Sequence, residues 1–537
     1  MTTLLSAGIV DLSRPDKIVR ILAVLRRLGP LAGAVTAARL RDGAAVAMID
    51  ENGPVTFDDF ERRANALGRA WSQRGLGEGS VIAVLCRDHR GLVDAMLAAA
   101  KIGARVLLAN TGFSGPQLAD VAVRERVSAL VYDEEFTELL SAMPRDIPRY
   151  LAWVDSSDPS RDTGDDTRQD TGHPVLLVEQ LIADTDDSPL PEPGRQGGWT
   201  LLTSGTTGTP RGAARQVGSA LVVTHFLERV PLHHGDVTFI ATPMFHATGF
   251  SQLILNIALG STIVVRRRFD AEATVRALAE HHCTTLVVVP TLLRRLLALG
   301  PEELARHDTS SLRVILTAGS RLAPEVSERT MDAFGDVLYN LYGSTEIAVA
   351  TISKPRELRR APGTVGRPPR GCRVRLYDAN GRRITTPNVP GRIFVGSELA
   401  FTGYTGGGGK EIIDGLLCSG DVGHLDDTGL LFVDGRDDDM IVSGGENVFP
   451  AEVENLLLKH PDVADTAVVG VPDPEFGQRL RAFVVPIAGH VPTVDDIKKF
   501  VRANLARYKV PRDVVFMTAL PRNETGKIRR KALLAEA

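Results

Sequence analysis

The stretch TSGTTGTPRG, Thr203 to Gly212, holds three glycines, four threonines, a serine and one arginine in ten residues. Glycines let a backbone approach a ligand closely, while hydroxyls and free amides offer donors to phosphate oxygens and the guanidinium adds charge. A polyphosphate is the natural guest. The common P-loop is excluded, because it needs a glycine five residues after the first, then Lys-Ser or Lys-Thr, and Gly205 is followed at that distance by Pro210. The same composition also makes an ordinary surface turn, so the loop has to be read with its surroundings.

Those surroundings are a chain of 537 residues, 43% hydrophobic, long enough for more than one domain. A formal net charge of -4 gives no electrostatic case for a nucleic-acid partner. Cys86, Cys283, Cys372 and Cys418 are too scattered for a disulfide framework or a zinc site. No run approaches the roughly 20 apolar residues of a membrane span, and no secretory pattern opens the chain; the cytoplasm is the expected compartment. One early segment allows a peripheral membrane contact through residues 13–42. In DKIVRILAVLRRLG, Ile18, Ile21, Leu22, Leu25 and Leu28 share one helical face and Arg20 and Arg27 the other. Packing of that face on the protein body is the alternative, and the favoured one.

On either side of the loop the chain alternates. PVTFDDFERRANALGRAW predicts a helix entered at Thr56, with Asp59 three residues on. SVIAVLC, ARVLLAN and SALVYD then read as strands around the helical GLVDAMLAAAKIG, the pattern of parallel α/β layers. Between Asp155 and Gly198, Asp-, Ser-, Gly- and Pro-rich runs read as solvated linkers. A second α/β unit follows in VTFIAT, STIVVRR, TTLVVVP and LRVILTAG. CRVRLYD and GRIFVG, with no helix between them, predict a small antiparallel appendage. The last hundred or so residues form a compact α+β pattern of their own.

Further motifs fall at strand ends, where open α/β sheets gather ligands: PMFHATGF (Pro243–Phe250), TAGSRLAPE (Thr317–Glu325), NLYGSTE (Asn340–Glu346), GTVGRP, CSGDVG, GRDDDMIVSGGENVFPAEVE and LPRNETGKIRR (Leu520–Arg530). With Thr203–Gly212, their order and spacing closely resemble the adenylate-forming acid ligases, a family of acyl-CoA synthetases, aryl-CoA ligases, luciferases and adenylation domains. The resemblance implies an α/β fold: a large amino-terminal domain (1–434) of two stacked α/β subdomains and a small β subdomain, then a small mobile α+β domain (435–537). It also implies two steps, attack of a carboxylate on ATP to give an acyl-adenylate and pyrophosphate, then transfer of the acyl group to a thiol.

Carried over residue by residue, the resemblance makes Thr203, Ser204, Gly205, Thr206, Thr207 and Gly208 the phosphate loop, with Arg211 where lysine is usual. Glu346 would hold Mg2+ and Thr345 contact phosphate; standing alone, the pair would read better as a helix cap. Tyr342 and Gly343, with Gly319 and Ser320, would line adenine. Asp421 would accept from the ribose hydroxyls, and Arg436 would reach ribose or phosphate. Lys527 would bridge carboxylate and α-phosphate, and Asp438 would be the hinge. Gly444 and Gly445 would border the pantetheine tunnel of coenzyme A. His246 stands where amino-acid-activating relatives carry aspartate, which argues against an α-amino acid. With Gly249 and the aromatic Phe250, it resembles the acyl pocket of bacterial fatty acyl-CoA synthetases. The expectation is a fatty acyl-CoA ligase using ATP, Mg2+ and coenzyme A. Delivery to a carrier protein and a non-catalytic acyl or nucleotide sensor stay open.

Overall fold

The computed structural model describes residues 15–154, 169–170, 173–203, 211–214, 222–397, 403–404, 409–437, 441–443, 446–473, 477–505, 507–523 and 526–535. They fall into two compact units, one drawn from Met1–Val288, Ala298–Leu316 and Leu399–Gly409, the other from Val289–Leu297, Thr317–Glu398 and Lys410–Ala537.

In the first unit the expected alternation becomes two sheets. Val81–Leu85 is central to one, running parallel to both Arg105–Leu108 and Ala129–Asp133. Arg149–Trp153 follows on one side and Trp199–Thr203 on the other. In the other sheet Val237–Ile240 lies parallel to Thr262–Val264 and Thr285–Val288, and Val46–Asp50 extends it. The layers share a core: Ile82, Val84 and Val106 of one and Ile240, Ile263 and Val287 of the other belong to one buried cluster, completed by Phe57, Phe60, Leu67 and Trp71. The last four lie on the Phe57–Ser72 helix, which begins where its local signal put it: the Thr56 hydroxyl accepts from Asp59 N, and the Asp59 carboxylate accepts from Thr56 N at 3.0 Å.

The early amphipathic segment is a helix, Pro15–Asp42, broken at Gly29, whose φ is 75°, with Pro30 following. Leu31, Ala34, Val35 and Ala38 are buried in the unit's core, while Ile21, Leu25 and Leu28 are half-buried and Arg20 and Arg27 exposed. No helix among the described residues is long and apolar enough to cross a membrane. The run Ala183–Gly198, expected to be a loose linker, is instead an ordered strap. Arg69 donates to Ser188 O at 2.9 Å, Gly194 N donates to Glu78, and Gln196 Nε2 donates to Arg26 O at 3.0 Å. Residues 155–168 of the acidic insertion lie outside the described residues.

The second unit is mostly antiparallel. Arg373–Tyr377 pairs with Gly391–Gly396, Gly391–Gly396 with Leu416–Leu425, and Leu416–Leu425 with Leu431–Arg436, the appendage expected from adjacent strand signals. Leu338–Ser344 and Ala348–Ser353 form a hairpin. Toward the carboxyl end, Val463–Asp473 pairs with Gly477–Pro486, and Asp513–Phe516 joins in parallel. The Pro450–Leu457 and Val494–Asn504 helices share that sheet's core through Val453, Leu457, Ile497 and Val501.

Candidate active site

The second unit gathers five of the singled-out side chains, two of them by strand register. Asp421 and Arg436 are direct cross-strand partners, and their carboxylate and guanidinium stand 3.8 Å apart. Gly420 precedes Asp421 with φ at +85°, and a Cβ there would lie 3.4 Å from Arg436 and 3.5 Å from Lys410. Tyr342, from the neighbouring hairpin, donates its hydroxyl to Asp421 Oδ2 at 2.5 Å. Burial, and then the Asp421 charge, push the phenol well above its ordinary value, so it stays the donor of this pair. Burial also pushes the Asp421 carboxyl up; Tyr342, Arg436, Lys410 and Lys527 oppose it.

The hairpin explains where Thr345 and Glu346 go. They occupy the turn between its strands, not a helix cap. Gly343 is required here: its strand register shifts between Tyr342 and Gly343, and a Cβ would come within 1.8 Å of Ala348 O. Ala348 itself takes φ 58°. Ser344 Oγ donates to Glu346 Oε2 at 2.8 Å and accepts from Glu346 N at 3.2 Å, which holds the carboxylate over the turn. Glu346 with the Thr345 and Ser344 hydroxyls is an all-oxygen donor set, the kind a hard divalent cation takes.

Lys527 reaches the same place from a tight carboxy-terminal turn. Lys527 N donates to Asn523 Oδ1 at 2.8 Å, Gly526 N donates to Asn523 O at 2.8 Å, and Gly526 has φ +74°. Its ammonium feels Arg436, Asp421 and Glu346, and its pKa is lowered, first by desolvation and then by Arg436, against the two carboxylates. The side chain is nonetheless solvent-accessible. Both facts describe a group surrounded by protein atoms yet reachable by water. Lys410 is a cation that the sequence reading missed. It donates to Ser419 O at 2.9 Å and acts on the Asp421 carboxylate. Its one sequence signal is a lysine closing the glycine run Gly406–Gly409.

Gly319, at φ +89°, and Ser320 follow the strand Val314–Thr317. In the first unit, Thr203 ends the strand Trp199–Thr203 and pairs in antiparallel register with Arg211. Thr203 and Arg211, the two ends of the described residues here, stand opposite each other in that pairing. Ser204, Gly205, Thr206, Thr207 and Gly208 lie outside the described residues, as do Asp438, Gly444 and Gly445.

His246 is the N-cap residue of the Ala247–Leu259 helix and lies 4.5 Å from the Phe245 ring. Gly249 is buried against backbone: a Cβ would come 2.3 Å from Pro243 O and 2.5 Å from Thr242 O. Its smallness serves a close approach of helix to turn. Phe250 is 3% exposed, packed 5.3 Å from the Trp199 ring, and so belongs to the core.

The second unit thus gathers a carboxylate, a phenol, several cations and an oxygen donor set, and comparison with known proteins shows the family to which the chain belongs. Residues 35–405 match the model of the AMP-binding enzyme family, and residues 452–527 that of the AMP-binding enzyme C-terminal domain. The indoleacetate–CoA ligase of Aromatoleum aromaticum is 32% identical over 88% of this chain and 90% of its own. The fatty acid–[acyl-carrier-protein] ligase ScoC of Streptomyces coeruleorubidus is 28% identical over 91% and 92%. The fold of the o-succinylbenzoate CoA synthetase MenE from Bacillus subtilis, solved with its acyl-adenylate, superposes with a TM-score of 0.79 at 24% identity, over 93% of this chain and 97% of that one. The α/β architecture expected from the sequence is therefore shared with a solved ligase, and the chain belongs to the AMP-binding enzyme family, the adenylate-forming acid ligases.

Proposed function

We propose that the chain converts a fatty acid to its acyl-adenylate and then to its coenzyme A thioester. The observation that carries the adenylation half is the gathering of Tyr342, Asp421, Arg436, Glu346 and Lys527 in one cluster. In this reading Asp421 accepts from the ribose hydroxyls, Tyr342 packs on adenine with Gly319, Ser320 and Gly343 alongside, and Arg436 stays on ribose or phosphate. The Thr203–Gly208 loop and Arg211 hold the leaving pyrophosphate. Arginine keeps the charge of the usual lysine and offers more donors. Glu346 with Thr345 holds Mg2+, which supplies charge neutralisation to the polyphosphate.

A carboxylate oxygen of the acid attacks the α-phosphorus, and the bond to the pyrophosphate oxygen breaks. Lys527 offsets the charge that builds as two anions meet, and the cost of holding a cation beside Arg436 is what that negative charge relieves. In the second step the coenzyme A thiolate attacks the acyl carbonyl and AMP leaves. Residues 435–537 turn about Asp438 between the steps, withdrawing Lys527 and bringing Gly444 and Gly445 to the pantetheine.

His246, in place of the aspartate of amino-acid-activating relatives, and the resemblance of Pro243–Phe250 to bacterial fatty acyl-CoA synthetases support a fatty acyl substrate, with Phe250 itself packed in the core. Two similar proteins favour specific second readings. One is named for indoleacetate, which makes an arylacetic acid the alternative substrate, and the other for an acyl carrier protein, which makes such a protein the alternative acceptor. The test incubates the purified chain with ATP, magnesium and coenzyme A, and either fatty acids from medium to very long chain or arylacetic and benzoic acids. AMP and thioester are followed by mass spectrometry. Thioester from the fatty series supports the proposal; thioester from the aryl series alone replaces the substrate. AMP or trapped adenylate without thioester points to a carrier protein, and no turnover with any acid ends the ligase reading.

A further inference from the structure

Asp88 stands at the carboxyl end of the parallel strand Val81–Leu85, one residue before His89 caps the Arg90–Lys101 helix. It is 7% exposed, and its Oδ1 accepts the Met244 amide at 2.8 Å. Met244 belongs to the turn after Val237–Ile240 in the other sheet, so this bond ties the carboxyl end of a strand in one layer to that of a strand in the next. The turn and the helix it starts are one body. His246 N donates to Pro243 O at 3.1 Å, Phe250 N donates to His246 O at 2.9 Å, and Gly249 seats the helix directly on the Thr242 and Pro243 carbonyls. Whatever fixes Met244 therefore fixes where His246 and Phe250 point.

We propose that Asp88 is a positioning residue for the Pro243–Phe250 segment: its ionised carboxylate anchors the Met244 amide and so sets the acyl pocket, and proton uptake by Asp88 loosens that anchor. This rests on the reading of the segment as the acyl site. A charged acceptor holds an amide about twice as strongly as a neutral one, so the two protonation states of Asp88 differ in grip.

The charged groups around Asp88 are already committed elsewhere. Arg87, on its own loop, pairs with Glu135 through two contacts of 2.8 Å. His89 Nδ1 accepts from Gly91 N at 3.0 Å, which places the ring proton on Nε2, directed at Asp133 Oδ1 2.8 Å away at the end of Ala129–Asp133. The same two bonds occupy both ring nitrogens, so the buried Cys86, His89 and Asp133 do not form a metal site. From the turn before the Ala247–Leu259 helix, the Met244 amide is what faces Asp88. Among the described residues no cation is within ion-pair distance of it. Burial pushes the Asp88 carboxyl up to about 7, with the Asp133 charge adding to the rise and the Met244 N–H and Arg87 opposing it. The change of grip then falls within the working range of pH.

The test uses the full chain and a readout that needs no substrate. Trp199 packs on Phe250 and reports the placement of the helix start. Its emission, isolated by subtracting a Trp199→Phe protein, is titrated from pH 5.5 to 8.5 in wild type, Asp88→Asn and His246→Gln. Asn is a neutral acceptor of the same shape, so the transition near pH 7 is expected to vanish in Asp88→Asn, fixed at the low-pH signal, and to survive in His246→Gln. In turnover, Asp88→Asn is expected to raise the KM for the acid about three- to tenfold at pH 8 with a flat pH profile, leaving the KM for ATP unchanged. A wild-type signal without a transition, a transition kept by Asp88→Asn or lost in His246→Gln, or an unchanged KM would overturn the proposal. If Asp88→Asn does not fold, the wild-type and His246→Gln titrations decide it. Because emission is read without acid, failure of turnover with the transition intact strikes the acyl reading alone.

Discussion

The ionised Asp88 carries a cost that replacement by asparagine should remove. Burial raises its pKa from 3.8 to about 7, so the folded chain binds this proton more tightly than the unfolded chain does. The sign follows from linkage: its stabilising contribution is complete below the unfolded value, falls as pH rises from about 4 to about 7, and is gone above that. At about 1.4 kcal/mol per unit, the three-unit rise makes wild type about 4 kcal/mol less stable at pH 8 than a chain with a neutral isostere, but only about 1.5 kcal/mol less stable at pH 5. Asp88→Asn should therefore gain about 2.5 kcal/mol more at pH 8 than at pH 5. The three tryptophans, Trp71, Trp153 and Trp199, all belong to the unit that contains Asp88, so urea unfolding followed by their fluorescence reports that unit. An equal gain at both pH values, or a loss at pH 8, would refute the reasoning. With the expected result, a residue that destabilises its own fold in exchange for a firm hold on the Met244 amide is a site where stability yields to function.

Three further outcomes are expected. Lys527→Ala should slow acyl-adenylate formation about a hundred- to a thousandfold while thioester formation from supplied acyl-adenylate changes little. Pyrophosphate release and thioester mass spectrometry separate the steps, and equal loss of both would contradict the assigned role. Gly249→Ala places a methyl 2.3 Å from Pro243 O, so the helix start must shift. Urea unfolding should show a loss of about 1–3 kcal/mol and turnover a raised KM for the acid, and neither change would mean the close approach is unimportant. Arg211→Lys, which restores the usual residue opposite Thr203, should leave the KM for ATP within about threefold by initial-rate assay; a larger change would show that this chain depends on the geometry of the guanidinium.

What could be read ahead of the structure was what neighbours in sequence determine. Thr56 and Asp59 announce a helix start because both halves of the capping box lie within one turn, and the α/β alternation is legible because each strand needs its own short apolar run. The hairpin holding Glu346 was not legible. Tyr342, Gly343 and Ser344 have no strand-like pattern, and they form one because Ala348–Ser353 pairs with them through an irregularity only glycine permits. Phe250 reads as part of an acyl pocket from its motif, yet it packs in the core against Trp199, about fifty residues away. Asp88 is the sharpest case. In sequence it sits between Arg87 and His89 and carries no motif that marks it. In the fold Arg87 belongs to Glu135 and His89 to Asp133, which leaves Asp88 with a backbone amide more than 150 residues away. Its acidity is thus set by which partners are already taken, a property of the packed chain that no window of sequence contains.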